Sequence, residues 1–167
     1  MTDDIIRLKE LTKDIFGVEA ELQKINRQKD LLIEIFTVLN FFNSEIDSIE
    51  AILTVVKSYT GVEAAAIRIE DDGDYPYYAV RGFPDEFIKL EDSLCGVSGD
   101  SFECLCGCVI LDCAADNYSF FTNKGSFFTG NSSALVASGE LPKGINLRGT
   151  CVKFGYETMV LVPLRSK

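Results

Sequence analysis

A chain of 167 residues with 47% apolar and 25% charged side chains has the composition of a globular protein and the length of one domain with an appendage. It holds six cysteines and no histidine, which excludes Ser-His-Asp and Cys-His catalysis, imidazole metal ligation, His-ligated haem and a phosphoacceptor histidine. The net charge of −10 is uneven, with balances of −4, −10 and +4 over residues 1–60, 61–120 and 121–167; so acidic a middle repels phosphate backbones, and nucleic-acid binding is not expected.

Met1 to Asp4 lacks the cationic start and apolar run of a signal peptide. No stretch approaches the ~18 apolar residues of a membrane span, so a cytoplasmic setting with reduced thiols is expected. From Leu8, apolar residues recur at alternating three- and four-residue steps: Leu11, Ile15, Val18, Leu22, Ile25, then Leu32, Phe36 and Leu39, with Lys29 interrupting the row. This predicts a coiled-coil helix that dimerises, its alternative being a helix packed on its own domain. Gly17 weakens the helix without breaking the period.

Asn43, Ser44 and Glu45 mark a break and a new N-cap. Ile46 to Tyr59 reads as an amphipathic helix with Ile49, Ile52, Leu53 and Val56 on one side, stopped at Thr60-Gly61. Ala64 to Ile69 reads as a buried strand, Asp71 to Asp74 as a turn, and Tyr75 to Val80 as the returning strand. Asp71, Asp72 and Asp74 lack the alternating donors and closing glutamate of a calcium loop. From Gly82 to Gly149 the periodicity is weak and predicts loops with short helices, one at Ala134 to Ser138. Thr158 to Leu164 reads as a last strand with Val160, Val162 and Leu164 on one face, leaving an edge for a partner.

The cysteines are Cys95, Cys104, Cys106, Cys108, Cys113 and Cys151, four of them within ten residues. Cys-x-Cys-x-Cys is not the Cys-x-x-Cys of zinc fingers, but a glycine-permitted turn lets alternate thiolates converge on one ion. Three readings stand: metal or iron–sulfur ligation, a dithiol redox switch, and small buried apolar residues. The aromatic set Tyr75, Tyr77, Tyr78, Phe120, Phe121, Phe127 and Phe128 suits a core or a small-molecule pocket, with Tyr78, Phe121 and Phe127 the pocket candidates. No P-loop or dinucleotide fingerprint is present.

Several stretches resemble a known family. Tyr59-Thr-Gly-Val-Glu-Ala-Ala-Ala-Ile-Arg-Ile69, the acidic turn with Tyr75-Pro-Tyr-Tyr78, and Gly82-Phe-Pro84 look like the opening of a GAF domain. Ser93-Leu-Cys95, Glu103-Cys-Leu-Cys-Gly107, the run Phe120 to Thr129, and Gly155 to Arg165 extend the likeness. Together they are similar to a cysteine-containing GAF subgroup of bacterial and archaeal sensor histidine kinases, often found beside PAS domains.

The resemblance implies an α+β fold, with a GAF-like antiparallel sheet flanked by helices, a ligand pocket on one sheet face, and no catalysis. Residues 1–42 would be a signalling helix and residues 43–167 the sensory domain. GAF domains usually continue past the Val-Pro-Leu-Arg strand, so this one is expected to be C-terminally truncated: a fragment of a longer sensor, or a sheet completed by a partner. The subgroup's cysteines match Cys95, Cys104, Cys106 and Cys151, which become the metal-ligand candidates, while Cys108 and Cys113 are additional thiols. Relatives hold haem or an iron–sulfur centre; zinc also suits thiolates. The implied function is redox or ligand sensing in a two-component system, by a homodimer joined through the N-terminal helix and coupled to a kinase or other output partner. The alternatives are a small organic ligand in the aromatic pocket beside structural cysteines, and a dimerisation or interaction module.

Overall fold

The computed structural model describes residues 2–42, 44–96, 102–112, 118–142 and 144–165, and for residues 2–12 the backbone only. The expectations placed on Leu8, Leu11, Asn43 and Cys113 therefore lie outside the residues or side chains described. The fold mixes helix and strand: one long N-terminal helix, shorter helices and two small antiparallel sheets. By contacts the chain divides into two compact units, Met1–Ala65 with Ala79–Arg81, and Ala66–Tyr78 with Gly82–Lys167.

In the first unit the heptad-like stretch forms α1 (Thr2–Phe41) as one continuous helix of 40 residues, about 60 Å long at 1.5 Å per residue. α2 (Glu45–Thr60) starts after Ser44 in extended geometry and ends at Gly61 in the left-handed conformation, matching the expected limits within a residue. Its buried apolar residues are Leu53 and Val55, with Ile49, Ile52 and Val56 only partly covered. α1 packs on α2. The partly buried positions of α1 in that region are Leu31, Ile35 and Val38, one residue off the stripe read from the sequence. The stripe itself stays open, from 49% exposed at Leu39 to 67% at Val18.

The hairpin forms where expected but with shorter strands, β1 (Ala65–Arg68) and β2 (Tyr77–Arg81), and β1 is half-covered rather than buried. Asp71 and Asp74 exchange both backbone hydrogen bonds at 3.0 Å. Between them Asp72 (φ 49°) and Gly73 (φ 83°) take the two positive dihedrals that a tight hairpin turn needs.

In the second unit the weakly periodic middle condenses into short elements: α3 (Asp85–Glu91), α4 (Cys104–Ile110), β3 (Phe127–Thr129), α5 (Ser132–Ser138) and α6 (Thr150–Lys153). α5 begins two residues before the expected helix, because the Asn131 side chain accepts the Ala134 N–H as an N-cap. β4 (Met159–Leu161) covers less than half of the expected last strand and pairs antiparallel with β3, Phe128 opposite Val160. Leu105, Val109 and Phe127 form the core between α4 and this sheet, ringed by Phe120, Phe121, Leu135, Leu141, Ile145, Leu147, Met159 and Leu161. Phe128, Val160, Val162 and Leu164 face outward. Where the resemblance implies one central sheet, the described residues form two separate two-stranded sheets.

Candidate functional site

The Cys104-Leu-Cys-Gly-Cys108 run is helical, not the tight turn expected from its glycine. Gly107 serves packing instead. A Cβ there would lie 2.6 Å from Phe102 Cβ and 3.0 and 3.1 Å from the Phe102 carbonyl carbon and oxygen, inside van der Waals contact. Cys104 opens α4 with φ +61°, a left-handed conformation that only glycine adopts without strain. Its N–H donates to the Asn146 carbonyl at 2.8 Å and its Sγ accepts the Arg148 N–H at 3.2 Å.

Arg148 ties the site together. Its guanidinium pairs with Glu103, the residue just before α4, and donates to the carbonyls of Ser93 at 2.6 Å and Cys95 at 2.9 Å, with a longer contact to Leu90 at 3.4 Å. Asn146 donates to the other Glu103 oxygen at 2.6 Å. The end of α3, the start of α4 and the segment leading into α6 are thus held by one cation and its carboxylate.

Arg68 closes the other side. It donates to the carbonyls of Tyr75, Glu91 and Asp92, and lies 3.7 Å over the Tyr77 ring. On α3, Phe87 and Glu91 are four residues apart, hence on one face, and both are buried. Phe87 stacks on Phe83 at 4.6 Å and meets the edges of Phe154 and Tyr156 just beyond α6. Glu91 is 3% exposed, and its Oε1 is buried without a hydrogen-bond partner.

Cys104, Cys106 and Cys151 share this region. Burial raises all three thiols, and the Glu91 carboxylate adds to the rise in each; Cys106 is pushed up to about 11 and Cys151 to about 12. Cys106 and Cys104 also raise Cys151, whereas Arg68 works against the rise at Cys106. The three are therefore neutral thiols at neutral pH, with neither the depressed pKa nor the base of a nucleophile.

Cys95 sits apart. Its Sγ contacts the Gly73 carbonyl at 3.6 Å, and Asp74 accepts its N–H together with those of Tyr75 and Leu94. Burial and the Asp74 carboxylate raise its thiol, and Arg148 works against the rise. Although burial opposes it, hydrogen bonds from Ser93, Tyr75 and Leu94 hold Asp74 far below the usual carboxylate range. Cys95 is thus a hairpin-anchoring residue by its contacts. Cys108 is disulfide-bonded and buried, while Cys95, Cys104, Cys106 and Cys151 are free.

The donor chemistry of three thiols beside an unpartnered buried carboxylate suits a thiophilic cation. Among the described residues, however, no three cysteine or carboxylate donors already lie close enough to grip one. Glu91 was not among the residues singled out in the sequence; its one signal is the four-residue spacing from Phe87.

The aromatic candidates separate. Phe121 and Phe127 meet ring to ring at 5.5 Å, with Phe120 against Phe127 at 5.7 Å, as core packing. Tyr78 is exposed on β2 and takes no part in that cluster. No helix is long and apolar enough to cross a membrane among the described residues. No family model, curated protein or solved structure matches the chain.

Proposed function

We propose that the chain is a non-catalytic, GAF-like sensory module of a cytoplasmic signal-transduction protein, whose sensing element is the thiol group Cys104, Cys106 and Cys151. The observation that carries this reading is the set of three part-buried thiols, raised by one another and by the buried Glu91, whose Oε1 has no hydrogen-bond partner. A buried carboxyl oxygen without a partner is costly and calls for a proton, a water or a cation. A thiophilic metal or iron–sulfur centre, once bound, would supply a cross-link between α3, α4 and α6 that forms and breaks with redox state or metal supply. The protein's own part is to keep the part-buried thiols protonated until a ligand displaces their protons. Arg148 and Arg68 hold the surrounding backbone in place by hydrogen bonds to carbonyls.

The open stripe Ile15, Val18, Leu22, Ile25, Leu32, Phe36 and Leu39 supports a homodimer through α1, since its three- and four-residue steps are those of a two-helix seam. A chain without histidine passes its signal to a kinase or other partner that holds the phosphoacceptor. The test is metal analysis with an absorption spectrum on protein purified without air. About one equivalent of zinc, or about two to four of iron with matching sulfide, per chain, lost together with any visible band on replacing Cys104 and Cys106 by serine, supports the reading. A colourless, metal-free protein that takes up neither metal contradicts it.

A further inference from the structure

Resting on the homodimer of that reading, we propose that two copies of α1 pair antiparallel, the acidic stretch of each lying along the basic stretch of the other. The apolar row from Ile15 to Leu39 is open along its whole described length, while α2 packs against α1, whose partly covered positions are Leu31, Ile35 and Val38. Residues 13–30 of α1 are exposed on every side. A lone helix containing Gly17 gains nothing from packing over that length, and a second helix supplies what is missing. The three- and four-residue steps put Ile15, Leu22, Lys29 and Phe36 at heptad position a, and the residues three further on at position d.

Lys29, the one charged residue in that row, separates the two orientations. Parallel helices in register set Lys29 against the partner's Lys29 inside the seam, and Asp14 at position g against the partner's Glu19 at position e. Both contacts join like charges. Antiparallel helices match a with d, so that Leu22 meets the partner's Ile25, Ile15 the partner's Leu32, and Lys29 the partner's Val18. The partner's Glu19, next to Val18, then stands beside Lys29 at the rim of the seam. The same register lays residues 17–23 along residues 24–30 of the partner. The first stretch carries Glu19 and Glu21, the second Lys24, Arg27 and Lys29 against Asp30, for balances of −2 and +2. Within the chain Glu21 pairs with Lys24 at 3.8 Å. Neither Glu19 nor Lys29 has an ion pair among the described residues, which leaves both charges to a partner.

Zero-length carbodiimide coupling of the unaltered chain tests the orientation, on a mixture of light and heavy-nitrogen-labelled protein read by mass spectrometry after digestion. Ten residues of helix, about 15 Å at 1.5 Å per residue, separate Glu19 from Lys29, so the two do not couple within one chain. The proposal expects a Lys29–Glu19 link that joins one light and one heavy peptide. A dimer without that mixed link overturns the antiparallel orientation and leaves the homodimer standing. Analytical ultracentrifugation of charge variants gives a second reading. Glu19→Lys should weaken the dimer at least about threefold, and Glu19→Lys with Lys29→Glu should regain the affinity of the wild type. Unchanged or tighter association of Glu19→Lys, which relieves the Asp14–Glu19 repulsion of a parallel pair, also overturns the orientation. Wild-type protein that sediments as a monomer overturns both the orientation and the homodimer beneath it.

Discussion

Gly107 sits inside a helix, where glycine costs roughly 1 kcal/mol relative to alanine, because Phe102 occupies the place of its missing side chain. Gly107→Ala should therefore destabilise the protein by about 1–3 kcal/mol despite better helix propensity, measured by urea unfolding. The glycine was conspicuous in the sequence, but a tight turn and a close approach leave the same mark there. The thiols give a second prediction. Cys106 and Cys151 have folded pKa values near 11 and 12, above the ~8.5 of a free cysteine. The folded state thus retains protons that the unfolded chain releases. Their contribution is complete below pH ~8.5 and is lost as pH rises through the folded values. Between pH 8 and 10.5 the metal-free protein should lose stability, and a Cys106→Ala, Cys151→Ala variant should lose less. Equal losses would show that the two thiols are not buried as described.

Elements with a strong local code were legible in the sequence. α1, α2 and the Asp71–Asp74 turn follow from apolar spacing, a terminal glycine and turn residues, and they fall within a few residues of expectation. The middle of the chain carried no such code, because its short helices are fixed by tertiary ties. α4 and the approach to α6 depend on Glu103 and Arg148, which are 45 residues apart. No periodicity reports such a pair. Their side chains are mostly buried, at 11% and 19% exposure, unlike the open Asp112–Arg165 pair. Removing one partner of a buried pair strands the other. Arg148→Met should cost about 3 kcal/mol in thermal or urea unfolding, and Arg165→Met less than about 0.5 kcal/mol. Similar costs would mean that Arg148 does not organise the site.

At the scale of the molecule, the apolar stripe was readable but its use inside the chain was not. α1 turns Leu31, Ile35 and Val38 toward cover and leaves Leu32, Phe36 and Leu39 open, a one-residue offset that spacing alone does not resolve. The open stripe gives the dimer prediction: Leu22→Asp with Leu32→Asp should shift the protein from dimer to monomer in analytical ultracentrifugation, while Lys24→Asp should not. The candidate site was half legible. The cysteine cluster pointed to thiol chemistry, and the resemblance alone grouped Cys95 with the others; in the structure Cys95 contacts Gly73 and Asp74 of the hairpin turn. Glu91 stayed hidden because a glutamate in a short helix reads as a solvated residue until its neighbours are known.

The central claim is that Cys104, Cys106 and Cys151 are neutral thiols awaiting a cation. Proton release on zinc binding at pH 7, measured by calorimetry in buffers of different ionisation enthalpy, tests it most directly. Three protonated ligands that must all become thiolates predict about three protons released per zinc. Release of one proton or fewer, or no binding, would contradict it.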